Sequence, residues 1–269
     1  MVLFHDLTFG QYVPGNSFVH KLDPRTKLIA SLILMTCFLL SDKPLFMFLF
    51  TVICTLTMFL TKISMRIILG NLRSFLWLVV FTFLLHVLLT PGDQLLKIPF
   101  AGLVVTHQGL AGGLLYSLRI MLLLVLAVML TMTTTPIELA DSIEKLGSPL
   151  KKLKIPVQEF ALMLTLSLRF VPILLQEADT IRDAQLSRGL LLETNILQKI
   201  KNIVPMIIPL FVSSIRRAEE LAVAMDARSY TGGEGRTHYK TYTFTGNDFK
   251  TLAVSCSVFG VVLFFDLLY

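Results

Sequence analysis

The chain has 269 residues, of which 54% are hydrophobic and 16% charged, with a formal net charge of +6 and a mean hydropathy of +0.73. A soluble domain carries roughly 25% charged residues, and several apolar runs here reach the roughly 18–20 residues that cross a bilayer as helix. The composition excludes a soluble globular protein and indicates an all-α integral membrane protein, whose positive charge marks basic cytoplasmic loops rather than a nucleic-acid surface.

The first twenty residues, with Asp6, Gly10, Pro14 and Gly15, are too polar for the apolar core of a cleavable signal peptide. The aromatics of the Phe4–Phe18 stretch suit an anchor at the membrane interface. Asp23-Pro24 has the form of a helix start, an N-cap acceptor followed by proline at the first helical position. The run from Thr26 to Leu40 is the first predicted span, closed by the turn Ser41-Asp42-Lys43-Pro44, and Pro44 to Thr61 is the second. Lys62 to Arg66 forms a basic link along the membrane surface. Leu72 to Thr90 is the third span, stopped by Pro91-Gly92. Residues 91–109 read as a loop, Gly109 to Thr134 as the fourth span, and Thr251 to Leu268 as the fifth. Cys37, Cys54 and Cys256 lie inside apolar runs and suggest neither a disulfide nor a zinc framework.

Lysines and arginines orient these spans. Residues 1–27 hold Lys21, Arg25 and Lys27, the link between the second and third spans holds Lys62, Arg66 and Arg73, and fourteen more fall within residues 135–249. The opposite side shows only Lys43 and Lys97, with Arg119 inside the fourth span and Lys250 at the foot of the fifth. The asymmetry predicts a cytoplasmic N-terminus, a cytoplasmic 135–249 region and an outside C-terminus. The expected organisation is a membrane domain of four spans over 1–134, a cytoplasmic insertion over 135–249 and a last transmembrane helix over 250–269.

Within the insertion, Thr135-Pro136-Ile137-Glu138 is a capping box, and a short helix from it ends at Gly147. Lys151, Lys152 and Lys154 suit either lipid phosphates or a solvated loop. Pro156 opens a helix predicted to reach Arg188, 33 residues and about 50 Å long. Its first half, Phe160 to Leu175, is nearly all apolar; its second half is amphipathic, with Pro172 expected to kink it. Gly189 suits the left-handed residue that ends a helix. A second helix is predicted to follow Pro205 and Pro209 and to reach Arg228, with Arg216 and Glu220 as an i, i+4 pair. The apolar stretch Ile203–Ile215 is too short to span. The 157–175 segment could itself cross the membrane, but Arg169 within it and the parity of the loop charges favour a cytoplasmic position.

Two helices thus end on arginines bracketed by small residues, Ser187-Arg188-Gly189 and Ala227-Arg228-Ser229. A terminal cation is favoured by the macrodipole alone, by roughly 0.3–1 kcal/mol. Two such ends in one greasy chain suggest more, because small neighbours allow close approach and a guanidinium pairs with a carboxylate in a groove.

These tips, the helix text ALMLTLSLRFVPILLQEADTIRDAQLSRG (161–189) and the N-terminal YVPGNSFVHKLDPRTK (12–27) resemble the transmembrane T component of energy-coupling factor transporters, the EcfT family, over nearly the whole chain. The resemblance implies that the two helices are crossed cytoplasmic coupling helices. It implies that Ser187, Arg188 and Gly189, with Ala227, Arg228 and Ser229, dock on two ABC-type ATPase subunits. The first triplet departs from the family's Ala-Arg-Gly pattern at Ser187 and the second at Ser229, both small replacements. The resemblance further implies that apolar residues of the same helices (Phe160, Leu164, Leu168, Pro172, Leu175, Ile207 and Phe211) hold a membrane-embedded substrate-binding S component. ATP would then be bound by the partner subunits, and this chain would be a non-catalytic lever with no cofactor of its own.

Two other classes compete. A conventional ABC permease would also dock ATPases, but normally through one short segment per chain in a dimer. An intramembrane hydrolase is invited by Glu219-Glu220, but position 224 is Ala and the last span has no histidine. No HExxH, GxSxG or Walker loop appears.

Overall fold

The computed structural model describes residues 12–41, 43–98, 103–153, 156–189, 196–230, 232 and 243–268. The expected interfacial stretch Phe4–Phe18 lies mostly outside them, as do Lys154 and most of 231–242. The chain divides into two compact units, one built from Gly10–Ser142 with Tyr242–Tyr269, the other from Ile143–Thr241.

The first unit begins as the sequence predicts. Helix α1 (Pro24–Leu40) is capped by Asp23, whose carboxylate accepts from the Arg25 N–H at 2.9 Å. Helix α2 (Pro44–Thr61) also starts at proline and ends at Lys62 in the left-handed region, φ 55°. The predicted third span is broken. Helix α3 (Met65–Arg73) is short, and α4 (Leu76–Leu89) leaves it at an angle of 59°. The break separates polar from apolar sequence: Arg66, Asn71 and Arg73 belong to α3, while α4 is apolar except for Thr82 and His86. The bend lets the polar α3 and the apolar α4 meet different environments, which one straight rod could not do.

The loop expected over 91–109 holds an antiparallel hairpin, β1 (Gln94–Ile98) with β2 (Leu103–Thr106), registered Ile98 to Leu103 with an irregularity between Gln94 and Leu96. Its alternation is too short to separate from loop by period alone. Helix α5 (His107–Thr133) follows directly, capped by Thr106, whose hydroxyl accepts from Gly109 N at 3.0 Å.

Helix α5 is the central packing element of this unit. Against α1 and α2 it closes a core of Phe38, Phe50, Met47 and Cys54 with Leu122 and Leu126. Against α3 it closes a second with Ile68, Leu72, Val125, Met129 and Met132. Gly109 and Gly113 bring α5 close to α4: a Cβ at Gly109 would lie 2.9 Å from the His86 carbonyl, and one at Gly113 3.2 Å from that of Phe83. The capping box at the head of α6 (Pro136–Leu146) forms as expected, Thr135 N–H to Glu138 Oε2 at 3.2 Å and Glu138 N–H to Thr135 Oγ1 at 3.3 Å.

The last helix, α9 (Gly246–Leu268), is joined to the first by one buried carboxylate. Asp248 accepts from the Thr245 N–H (2.8 Å) and hydroxyl (2.6 Å), and its other oxygen accepts from the Asp23 N–H at 2.9 Å. Nearby, Lys27 Nζ donates to the carbonyls of Thr133 (2.9 Å) and His20 (3.2 Å). Burying these groups is tolerable only because each is hydrogen-bonded.

In the second unit a 3₁₀ turn (Ser148–Leu153) leads to α7 (Val157–Ser187) and α8 (Ile196–Ala227), which pack on one another. Helix α8 corrects the sequence reading: it starts before Pro205 and Pro209 and runs through both. The two prolines are four apart, so the missing N–H groups fall on one face. Among the described residues four helices are long and apolar enough to cross a membrane (α2, α5, α7 and α9), and the bent α3–α4 pair makes five. The 17-residue α1 sits at the short limit for a span. By length and composition α7 qualifies as well, although Arg169 and the parity of the loop charges favour a cytoplasmic position.

Candidate functional site

The two arginine tips share one backbone geometry. At the end of α7, Arg188 is the C-cap: its N–H donates to the Ala184 and Gln185 carbonyls, and the Gly189 N–H donates to Leu186 at 3.0 Å. Gly189 then takes φ +89°. At the end of α8, Arg228 is the C-cap. The Ser229 N–H donates to Asp226 (2.9 Å) and the Tyr230 N–H to Met225 (3.1 Å), which is a Schellman closure. Ser229 takes the left-handed position at φ 58°.

The residue after each arginine takes the left-handed backbone that closes the helix, and glycine at 189 has a geometric reason there. Gly189 pays no steric cost there, while a serine in this conformation costs roughly 1–2 kcal/mol. Glycine at 189 announced itself in the sequence; serine at 229 did not. Ser187, Arg188, Gly189, Ala227, Arg228 and Ser229 are all exposed. Among the described residues neither arginine meets a carboxylate. Each guanidinium is thus available to a partner, at a helix end whose partial charge favours a cation.

Behind the tips lies a clamp that sequence spacing could not reveal, because its members are 36 and 40 residues apart. Glu177 of α7 accepts from the Ser213 hydroxyl through Oε1 and from Arg217 Nη2 through Oε2 at 2.9 Å, both on α8. The ion pair that forms is this one between helices; among the described residues none joins Arg216 to Glu220. Arg188 lies eleven residues beyond Glu177, and Arg228 eleven beyond Arg217. Each arm is therefore roughly 16 Å long past the clamp.

The apolar positions expected to hold a partner are mostly bare. Phe160 is 61% exposed, Ile207 54% and Phe211 62%, with Leu164 and Pro172 also exposed. Leu168 and Leu175 are half-buried. On α8 the exposure continues through Ile203, Val204, Ile208, Val212 and Ile215, a contiguous apolar face of a size that soluble monomers rarely leave open. Glu219 and Glu220 are exposed on α8.

Long apolar helices, an interfacial break and two arginine-ended helices joined by a buttress define a multi-pass helical membrane protein. Residues 15–239 match the family model of CbiQ, described as cobalt transport protein. The energy-coupling factor transporter transmembrane protein EcfT of Bacillus subtilis (strain 168) is 43% identical over 265 residues, covering 98% of this chain and 99% of the relative. The protein of that name from Thermanaerovibrio acidaminovorans is 42% identical over 264 residues, covering 97% of each. That from Acidaminococcus fermentans is 41% identical over 260, covering 96% of each. The chain belongs to the EcfT family.

Proposed function

We propose that this chain is the transmembrane coupling subunit of an ATP-driven energy-coupling factor importer. Arg188 and Arg228 dock into grooves on two ABC-type ATPase subunits in the cytoplasm, and the apolar faces of α7 and α8 hold a small membrane-embedded S component that binds the solute. ATP binding closes the ATPases, the tips move with them, and the paired arms shift the S component so that a vitamin or metal ion passes inward. ATP belongs to the partners, and this chain contributes leverage without catalysis. The N-terminus and the α6–α8 region face the cytoplasm and the C-terminus faces outside.

The observation that carries this reading is the matched pair of ends: two exposed C-cap arginines, each followed by a left-handed small residue, each eleven residues beyond a shared clamp. A lone helix-terminal arginine needs no partner. Two built alike, on arms of equal length, suit two similar receptor grooves. Arg188→Glu and Arg228→Glu test it with the chain co-expressed with its ATPases and S component. Each variant is expected to lower ATPase recovery on the tagged chain by at least about tenfold, as loss of a buried interfacial ion pair implies, and to abolish uptake. Full recovery and normal uptake in both variants would defeat the proposal.

A further inference from the structure

The first unit has a lateral groove of about 350 Å³ between α1, α2, α5 and α9. Its floor is buried: Ala30 and Leu34 of α1, Leu126 and Met129 of α5. Its rim is exposed and apolar: Leu56 (58%) and Leu60 of α2, Val254 (61%) of α9. In a bilayer such a rim meets hydrocarbon, and an empty apolar groove would forfeit dispersion contacts along its length. One end is polar. There α1 and α9 begin and α2 and α5 end, Lys27 closes the floor through its two carbonyl bonds, and Lys250 stands exposed at the rim. Lys250 has no carboxylate partner among the described residues.

The dimensions select an occupant. The groove follows α9 from Lys250 to Val258, eight residues and about 12 Å. That is close to half of the roughly 30 Å hydrocarbon core, one leaflet deep. The volume holds on the order of ten water-sized groups. We infer that the groove binds one acyl chain of an anionic phospholipid, with the lipid phosphate on the Lys250 ammonium. Basic positions at the headgroup end of an intramembrane groove are suited to such headgroups. The lipid fills the gap between α2 and α9 and makes the helix packing of this unit dependent on membrane composition.

The test uses the full chain purified in mild detergent, with retained lipid read by native mass spectrometry. After delipidation it is titrated with palmitoyl-oleoyl phosphatidylglycerol and, separately, with the matching phosphatidylcholine. One phosphatidylglycerol per chain is expected, preferred by about fivefold, the scale of one lysine at an anionic surface. Lys250→Gln should erase that preference while leaving chain retention. Val254→Trp, at an exposed rim position, should abolish retention of both lipids while the delipidated chain keeps its melting temperature; Leu56→Trp on α2 gives the same readout should the first variant fail to fold. Equal binding of the two lipids by the wild type, a preference that survives Lys250→Gln, or retention that survives both tryptophans would overturn the inference. So would a co-purifying polypeptide in the groove in place of lipid.

Discussion

Removing the Asp248 carboxylate should unfasten the first helix from the last. The side chain is fully buried. It stands three residues into α9 and satisfies the Thr245 N–H of its own helix start together with the Asp23 N–H at the start of α1, 225 residues away. Asp248→Ala strands both amides in a site from which water is excluded, at roughly 1–3 kcal/mol each, and about 3–4 kcal/mol together. Asp248→Asn keeps one acceptor and presents an NH₂ where the second was, so about half that loss is expected. For a chain of this size 1 kcal/mol lowers the melting temperature by about 2–4 °C, which puts the alanine variant some 6–16 °C below the wild type on the same scale. The reporters are already present: Cys37 and Cys54 are buried, while Cys256 is exposed. A thiol-reactive fluorogenic dye on a Cys256→Ser background therefore reads unfolding of the α1–α2 core directly. An alanine variant that melts within about 2 °C of its background, or one more stable than the asparagine variant, would show that water reaches these amides and that the fastening is not what holds the two helices.

The clamp and the close approach of α4 to α5 yield two more expectations. Spin labels at Ser187 and Ala227 should report a narrow distance distribution in the wild type. Glu177→Gln and Arg217→Gln should each broaden it, and the double variant should be no broader than the worse single, because both remove the same bond. Gly109→Ala should destabilise by about 1–3 kcal/mol, since the new Cβ meets the backbone carbonyls of α4 and cannot push them aside. Gly112→Ala, whose Cβ meets only the Tyr116 ring at 3.9 Å, should be neutral or stabilise by up to about 1 kcal/mol; thermal melts of the two variants side by side decide this.

What the linear order of residues determined is whatever a few neighbouring residues can encode. Asp23-Pro24 set the start of α1, Thr135 with Glu138 the start of α6, and Gly189 the end of α7, because a cap or a left-handed turn is settled within one helical turn. The apolar runs fixed a multi-pass helical protein for the same local reason, since hydrocarbon demands a segment that satisfies its own backbone. The tertiary structure decided the rest. The change from polar Arg66–Arg73 to an apolar run is visible in the sequence, but no proline or glycine at Ser74 or Phe75 marks a break, and the 59° bend shows only in the folded chain. Pro205 and Pro209 read locally as helix starts, yet α8 passes through them. Ser229 gives no sign of its left-handed backbone until the Schellman hydrogen bonds impose it. The Glu177 clamp, the Asp248 fastening and the α2–α9 groove join residues tens to hundreds of positions apart. Their energies come from burial and geometry that exist only once the helices have met.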